Sequence, residues 1–541
     1  MTQARGAVRG RRTALLSAVL VLAFVALALA SAAGPLAGAP PSPTRFGGTL
    51  VIRTGSDPGT LNGAITTAGP AHTVTDSIYN GLVQLDEQFR PQPDLAERWE
   101  VSPDGRTYTF TLARNVRWHD GRPFTSADVK FTYEQVLLQY HARTRAGLEG
   151  VLDRVDAPTP TTVVFRFKQP FGALLQRSDV TEAPILPRHL YEGTDILRNP
   201  RNADPVGTGP FRLREWNRGA QVVLVKNPQY FKPGLPVLDQ VVFRILPQAT
   251  LAVAALEQGE VDYLDSVPAP DVARLRANPR VALAPTLAGP GGSNCISTLI
   301  PNLTRPPLDT LRVRQAIFHA LNRDFMVLAV LGGQGRVATA PISRGIRWAY
   351  HPTLPPVRYD VARANALLDE AGFPRREGGV RFRLTYVAAT TQIRYAEVVR
   401  DNLRDVGIDV QVVPLEFTAA TERVFVRKDF DLGFASYCNG PDPDIGVKRM
   451  YVSSNIQPIP FSNGAQYRNP RIDELFDQAA AGLDLEVRGR RYREAQEILW
   501  REVPYFWLVE TFRYVAYPRD LRGVQYWSGN VAERAYWTRP R

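Results

Sequence analysis

Residues Pro93 to Val129 read PDLAERWEVSPDGRTYTFTLARNVRWHDGRPFTSADV, and they hold a strand, a turn, a second strand and a helix start in succession. Trp99-Glu-Val ends at Ser102-Pro-Asp-Gly-Arg106. Pro presets one turn dihedral there and Gly accepts positive φ, so the chain reverses. Thr107–Leu112 then alternates Thr, Tyr, Thr, Phe, Thr, Leu. A period of two predicts a hairpin strand with one buried face. Thr125-Ser-Ala-Asp128 predicts a capping box in which Asp takes the usual place of Glu, opening a helix to about Gln139.

The same alternation of elements continues outward. Thr49–Arg53 reads as a short apolar strand and Ser56–Asn62 as a turn, while Thr162–Lys168 alternates again. Val206-Gly-Thr-Gly-Pro-Phe211 is a glycine turn feeding a strand, and Arg212–Trp216 with Gln221–Lys226 reads as a second hairpin. The Gly-x-Gly lacks the Lys-Ser/Thr of a phosphate loop and does not open a helix, so it serves backbone geometry. Helices are expected over Ala249–Gln258, Leu311–Asn322, Val361–Ala371, Ile393–Val406, Pro470–Ala481 and Val487–Arg501. Gly372 and Gly407 follow two of them as left-handed caps. Ile408–Val413 reads as a buried strand and Tyr505–Val509 as an aromatic one. Strands and helices interleaved in this way, with no fixed-period repeat, predict layered α/β or α+β architecture.

The N-terminus carries Arg5, Arg9, Arg11 and Arg12 with no acid, then an apolar run from Ala14 to Ala30 and small residues to Ala33. That order predicts a cleaved secretory leader at 1–32. A membrane anchor would need about 20 apolar residues. No Cys lies in residues 1–60, which excludes a lipid-modified Cys near the cleavage site. Residues 33–46 are Pro-rich and read as a tether. A periplasmic protein is expected.

The net charge of +12 falls to +8 once the leader's four Arg are removed. Acids and bases are interspersed, and Arg488–Arg493 reads as a solvated helix face, so no nucleic-acid partner is expected. The six His show no metal-ligand spacing, and neither His-Glu-x-x-His nor Gly-x-Ser-x-Gly occurs. No catalytic residue, metal or cofactor is expected. A secreted hydrolase with a carboxylate pair assembled by folding remains the alternative of another class. Two Cys, Cys295 and Cys438, make no disulfide framework in a chain this long, and two buried thiols fit as well as a bond.

The stretch Pro93–Val129 closely resembles the signature of the bacterial family 5 extracellular solute-binding proteins, the peptide- and nickel-binding components of ABC importers. Val206–Phe211, Ala255–Asp262, Leu311–Ile317, Tyr359–Gly372 and Val406–Val410 resemble further family segments in the same order. The resemblance implies a two-lobed α/β periplasmic-binding-protein fold that closes about a hinge on a small solute, a peptide by family frequency. An oligosaccharide, an opine or a nickel complex is the alternative within the same fold. It implies a first lobe at 47–294 with an extra subdomain at about 79–191, a second lobe at 295–503, and a return to the first lobe at 504–541. It also implies a monomer that works with importer membrane subunits.

Phe434–Ile445 resembles the family's ligand loop, with Asp442-Pro443-Asp444 matching its Asp-Pro-Asp. Dipeptide and oligopeptide binders place an Asp three residues earlier to pair with the ligand ammonium. Here that position is Asn439, which supplies no counter-charge. Asp442 and Asp444 are then candidates, with loop structure as the competing role. Dipeptide-binding relatives also present an Arg before the helix at 393, whereas Tyr386–Gln392 has none; Arg394 follows on the helix. Tyr437, Phe417 and Trp348 are aromatic candidates for the cleft. Thr60, Leu61 and Asn62 are expected at the ligand from the first lobe and Cys438 from the second, and Arg449 and Tyr451, which follow the ligand loop, are candidates to read an anionic group. The implied fold places Cys295 and Cys438 near the hinge side of the cleft, close enough to pair.

Overall fold

The turn at Ser102–Arg106 forms with Gly105 at φ +67°, and Ala96–Val101 pairs antiparallel with Thr107–Leu112 across it. Alternation in Thr107–Leu112 puts Tyr108, Phe110 and Leu112 on the buried face. Phe110 and Phe165 pack edge to face at 5.6 Å, and Tyr133 meets Phe165 at 4.7 Å. Burying a ring of this size stabilises by about 2–3 kcal/mol. The capping box forms too: the Thr125 amide donates to Asp128 Oδ2 at 2.8 Å. The helical segment it opens runs on to Tyr140. The computed structural model describes residues 45–86, 89–286, 294–458, 461–524 and 530–540. The expected leader at 1–32, and the tether at 33–46 except its last two residues, lie outside them.

Ala96–Val101, Thr107–Leu112, Thr162–Phe167 and Leu152–Thr159 make a four-stranded antiparallel sheet within the stretch where the extra subdomain is expected. A second four-stranded sheet has the order Thr49–Thr54, Gln240–Ile245, Gln221–Lys226, Phe211–Asn217. Its first pair is parallel and the others are antiparallel. One continuous core serves both sheets.

A six-stranded mixed sheet builds the second lobe, in the order Gly335–Val337, Phe506–Thr511, Cys295–Pro301, Leu432–Cys438, Phe382–Ala389, Ile408–Leu415. The last two strands are parallel, with Ile393–Asp405 between them in sequence as the crossover helix such a pair requires. Phe506–Thr511 stands inside this sheet, and Phe506, Trp507, Leu508 and Val509 are buried in the second-lobe core. The return to the first lobe expected at 504 therefore comes after Thr511. An aromatic run buried on both faces needs a central strand position, which the core of its own lobe supplies.

Val281–Thr286 pairs antiparallel with Arg513–Pro518. These strands flank the second lobe in sequence and carry the chain into and out of it. The C-terminal segment then joins the first lobe, where Trp537 is fully buried and bridges to Phe46.

Candidate functional site

The central strand Leu432–Cys438 runs directly into the loop that carries most of the expected ligand residues. Its neighbour Cys295–Pro301 lies antiparallel with Cys295 opposite Cys438, and the two are joined by a disulfide. Asn439 follows, fully buried. Its amide donates to Asn294 O at 3.1 Å, and its Oδ1 accepts from the Ser343 amide at 2.6 Å. Its Nδ2 has no partner among the described residues.

The two aspartates of the motif are both spent on arginines. Asp442 caps the short helix Pro443–Gly446 by accepting from the Asp444 amide at 2.9 Å. Its other oxygen lies 2.7 Å from Arg488 Nη2, both side chains being 1 % exposed or less. Asp444 accepts from Arg177 Nε at 3.1 Å and Nη2 at 2.7 Å, and its backbone carbonyl takes Nη2 at 2.9 Å. Burial would raise this carboxyl, but the charges of Lys448 and Arg177 outweigh it and hold the pKa at about 2. Neither aspartate is left to face a ligand ammonium; loop structure is the role the geometry gives them. Arg488 corrects the expectation of a solvated basic face, because its place beside Asp442 turns it inward under Trp348.

Arg177 belongs to the first lobe and Asp444 to the second, so this ion pair, 1 % exposed on each side, joins the lobes. A close backbone approach accompanies it. The Gly172 amide donates to Ala480 O at 2.7 Å, and a Cβ on Gly172 would stand 1.6 Å from Gly482 O.

On the first-lobe side, Thr60, Leu61 and Asn62 form a turn tied to Asn202. The Leu61 amide donates to Asn202 O at 2.8 Å, the Asn62 Nδ2 to Asn202 Oδ1 at 2.8 Å, and Tyr79 OH to Leu61 O at 3.4 Å. Thr60 alone of the three is partly exposed. Next to Gly63 lie His72 and Thr75. They belong to a buried polar cluster in which His72 Nδ1 is 3.4 Å from Asp76, Asp76 accepts from Thr181 at 2.8 Å, and Arg143 pairs with Glu182 at 3.1 Å. Several of its atoms have no hydrogen-bond partner among the described residues, including His141 Nε2, Arg143 Nε and Glu182 Oε2. Burial, then the charge of Arg143, holds His141 well below its usual range.

Arg449 follows the loop. Its Nε donates to Gly446 O at 3.1 Å and its guanidinium lies 5.5 Å from the Tyr437 ring centre. Burial pulls it down to about 10. Tyr437 itself is core: it is fully buried and donates its hydroxyl to Ser462 O at 3.1 Å. Trp348 packs on Tyr492 at 5.7 Å and Tyr451 accepts from Trp507 Nε1 at 2.8 Å, both inside the second lobe. Arg394 is exposed on its helix, and the Phe417 side chain lies outside the described residues.

Arg177, Arg143, Glu182, Ser343 and Glu510 carried no sequence signal. Ser343 Oγ donates to Glu510 Oε2 at 3.2 Å, and Glu510 pairs with Arg336 at 2.5 Å, so this acid backs the Asn439 corner. Each of these residues gains its role from a partner far away in the chain. Among the described residues no group of three or more His, Cys, Asp or Glu is arranged to hold a metal ion, and no helix is long and apolar enough to cross a membrane.

Two α/β lobes joined by a double crossing, with polar walls meeting between them, define a two-lobed solute-binding protein. Residues 90–458 match the bacterial extracellular solute-binding proteins, family 5 (middle), and the chain belongs to that family. The glutathione-binding protein GsiB of Escherichia coli O1:K1 is 29 % identical over 484 residues, spanning 88 % of this chain and 91 % of that protein. The periplasmic binding protein DppA of Helicobacter pylori, solved with the peptide STSA, superposes with a TM-score of 0.79 at 26 % identity, covering 92 % of this chain and 99 % of that one. The oligopeptide-binding protein AppA of Bacillus subtilis, solved with a nonapeptide, gives 0.76 at 25 % identity over 91 % of this chain and 100 % of that one. The chain is thus the solute-binding component of an ABC importer, in a family of binding proteins rather than enzymes.

Proposed function

We propose that this chain is a periplasmic, unanchored monomer that captures a peptide or peptide-like solute and hands it to the membrane subunits of its importer. Asn439 carries the reading. Its carbonyl oxygen is consumed by the Ser343 amide, which leaves the Nδ2 donor free and buried. A lone donor reads an acceptor, such as a peptide carbonyl or a carboxylate, and not an ammonium. The solute is therefore held at this corner by an oxygen. Cys438 and Asn439 form the second-lobe wall with Arg449 beyond them, and the Thr60–Asn62 turn belongs to the facing wall. Asp442 and Asp444 shape the loop, and Tyr437 backs it. The relatives named for glutathione and solved with peptides support the same solute class.

A thermal-stabilisation screen tests this. Glutathione and free peptides of two to eight residues are compared with an oligosaccharide panel, an opine and nickel–histidine. A true solute at a hundred times its dissociation constant adds about 2.7 kcal/mol to unfolding stability. The expected result is stabilisation by glutathione or a peptide. Failure of all of them beside success of another class overturns the peptide reading.

A further inference from the structure

Arg449 is a cation at the meeting of the lobes with no acid of its own. Among the described residues no carboxylate lies within ion-pair distance of it, and the only hydrogen bond its side chain makes there runs from Nε to Gly446 O at 3.1 Å. Both terminal nitrogens are uncommitted. The backbone that carries it is closely packed: a Cβ on Gly446 would stand 2.1 Å from Cys438 O. The guanidinium therefore starts from the same turn that holds Asn439 and its free Nδ2 donor. From the first lobe, Arg143 and Glu182 act on it electrostatically, and they already pair with each other at 3.1 Å. The neighbouring Lys448 and Arg177 are matched by Asp477 and Asp444. Of the other buried acids of this cluster, Asp76 is engaged by His72 and Thr181 and Asp179 by the Glu182 amide, and neither is within ion-pair distance of Arg449. Arg449 is thus the cation at this junction that has no ion-pair partner among the described residues. Arg449 is partly buried, and a guanidinium with two uncommitted terminal nitrogens favours a bidentate anion as its partner.

We infer that the solute carries an anionic group, a carboxylate in the peptide reading, which seats on the terminal nitrogens of Arg449 and completes the charge balance of the closed cleft. The inference rests on the reading of this cleft as the solute site, and it is separable from the solute's being a peptide.

Two arms test it. In the first, citrate is the probe, at constant ionic strength against chloride, with the melting temperatures of wild type, Arg449→Lys and Arg449→Met compared. Citrate is expected to stabilise the wild type, Lys partly, and Met no more than chloride does. The unliganded Met variant is expected to melt no lower than wild type, since it loses an uncompensated charge, so a folding defect would be seen separately. In the second, glutathione and a peptide pool are compared with their esters and C-terminal amides by calorimetry. The acids are expected to bind, and esters, amides and the Arg449→Met protein to lose about a hundredfold in affinity. A citrate effect independent of Arg449, or acids and amides bound alike, overturns the inference and leaves the peptide reading standing. An Arg449-dependent citrate effect with no peptide bound sustains the inference and overturns the peptide reading.

Discussion

Asp442 bonds to Arg488 within the second lobe, whereas Asp444, two positions on, reaches across to Arg177 in the first. Removing one partner of a buried pair leaves a stranded charge and costs about 3–5 kcal/mol. For Asp442 the whole cost falls on folding. Asp442→Asn is expected to lower second-lobe unfolding stability by that amount in urea titrations, with Arg488→Met alongside it. For Asp444 the pair exists only while the lobes are together, so the cost falls on closure. Asp444→Asn and Arg177→Met are expected to weaken solute binding tenfold or more, to enlarge the radius of gyration by X-ray scattering, and to shift the urea midpoint less than Asp442→Asn does. Equal effects of the two substitutions on folding would refute the division. From sequence both aspartates looked alike, because a motif names a loop and not the partner each side chain meets.

At the level of elements, the hairpin and the capped helix form where their residues demand. Thr107–Leu112 alternates in burial as it does in sequence, and Asp128 takes the capping role expected of it. Elements whose place depends on distant neighbours were not legible. Phe506–Thr511 reads as a strand in any context, but its membership of the second lobe follows from pairing with Cys295–Pro301. The turn Phe171-Gly172 is a similar case, since only the facing helix end at Ala480–Gly482 explains its glycine. Gly172 is not in the left-handed region, so Ala is tolerated by its own backbone. Its methyl would still strike Gly482 O at 1.6 Å when the lobes meet. Gly172→Ala is expected to leave the melting temperature of the unliganded protein within a degree or two, about the effect of a neutral surface change. Solute affinity should fall at least tenfold. Unchanged affinity in calorimetry would show that this contact is not part of the closed state.

For the whole molecule, acid is expected to weaken folding before it parts the lobes. His119 accepts from the Gly207 amide at 3.2 Å and donates to Gly209 O at 3.0 Å, an arrangement that needs a neutral ring. Burial lowers it to about 4, while the unfolded chain takes up its proton near 6.5. Between those values the unfolded state binds more protons, so stability falls as pH falls, by up to about 3 kcal/mol from His119 alone. Asp444, held at about 2, contributes stability above the ordinary Asp range and loses it only as pH drops toward 2, so the interlobe pair outlasts this window. Burial raises Asp76 and Asp179, which act in the opposite sense, and the useful measure is the difference between proteins. Urea unfolding at pH 7 and at pH 4.5 should show a smaller loss for His119→Gln than for wild type; identical losses would rule His119 out as the source.

The sequence by itself determined what depends on near neighbours: the hairpin at 96–112, the cap at Thr125–Asp128, the helix–strand unit at 393–413, and through their order the family, while the strand Phe382–Ala389 beside that unit was not legible and Tyr386–Ala389 belongs to it rather than to a loop. It also singled out Tyr437–Asp444 as the expected ligand loop, with Asn439 in it and Arg449 following it. Tertiary structure alone decided which charges are spent and which remain. Asp442 and Asp444 are neutralised by Arg488 and Arg177, from opposite lobes, and Arg449 is left over. The physical reason is range. Periodicity and turn chemistry act over a few residues, whereas the partner of a buried charge is set by whichever distant segment the fold brings within about 4 Å, and burial makes that choice costly to reverse.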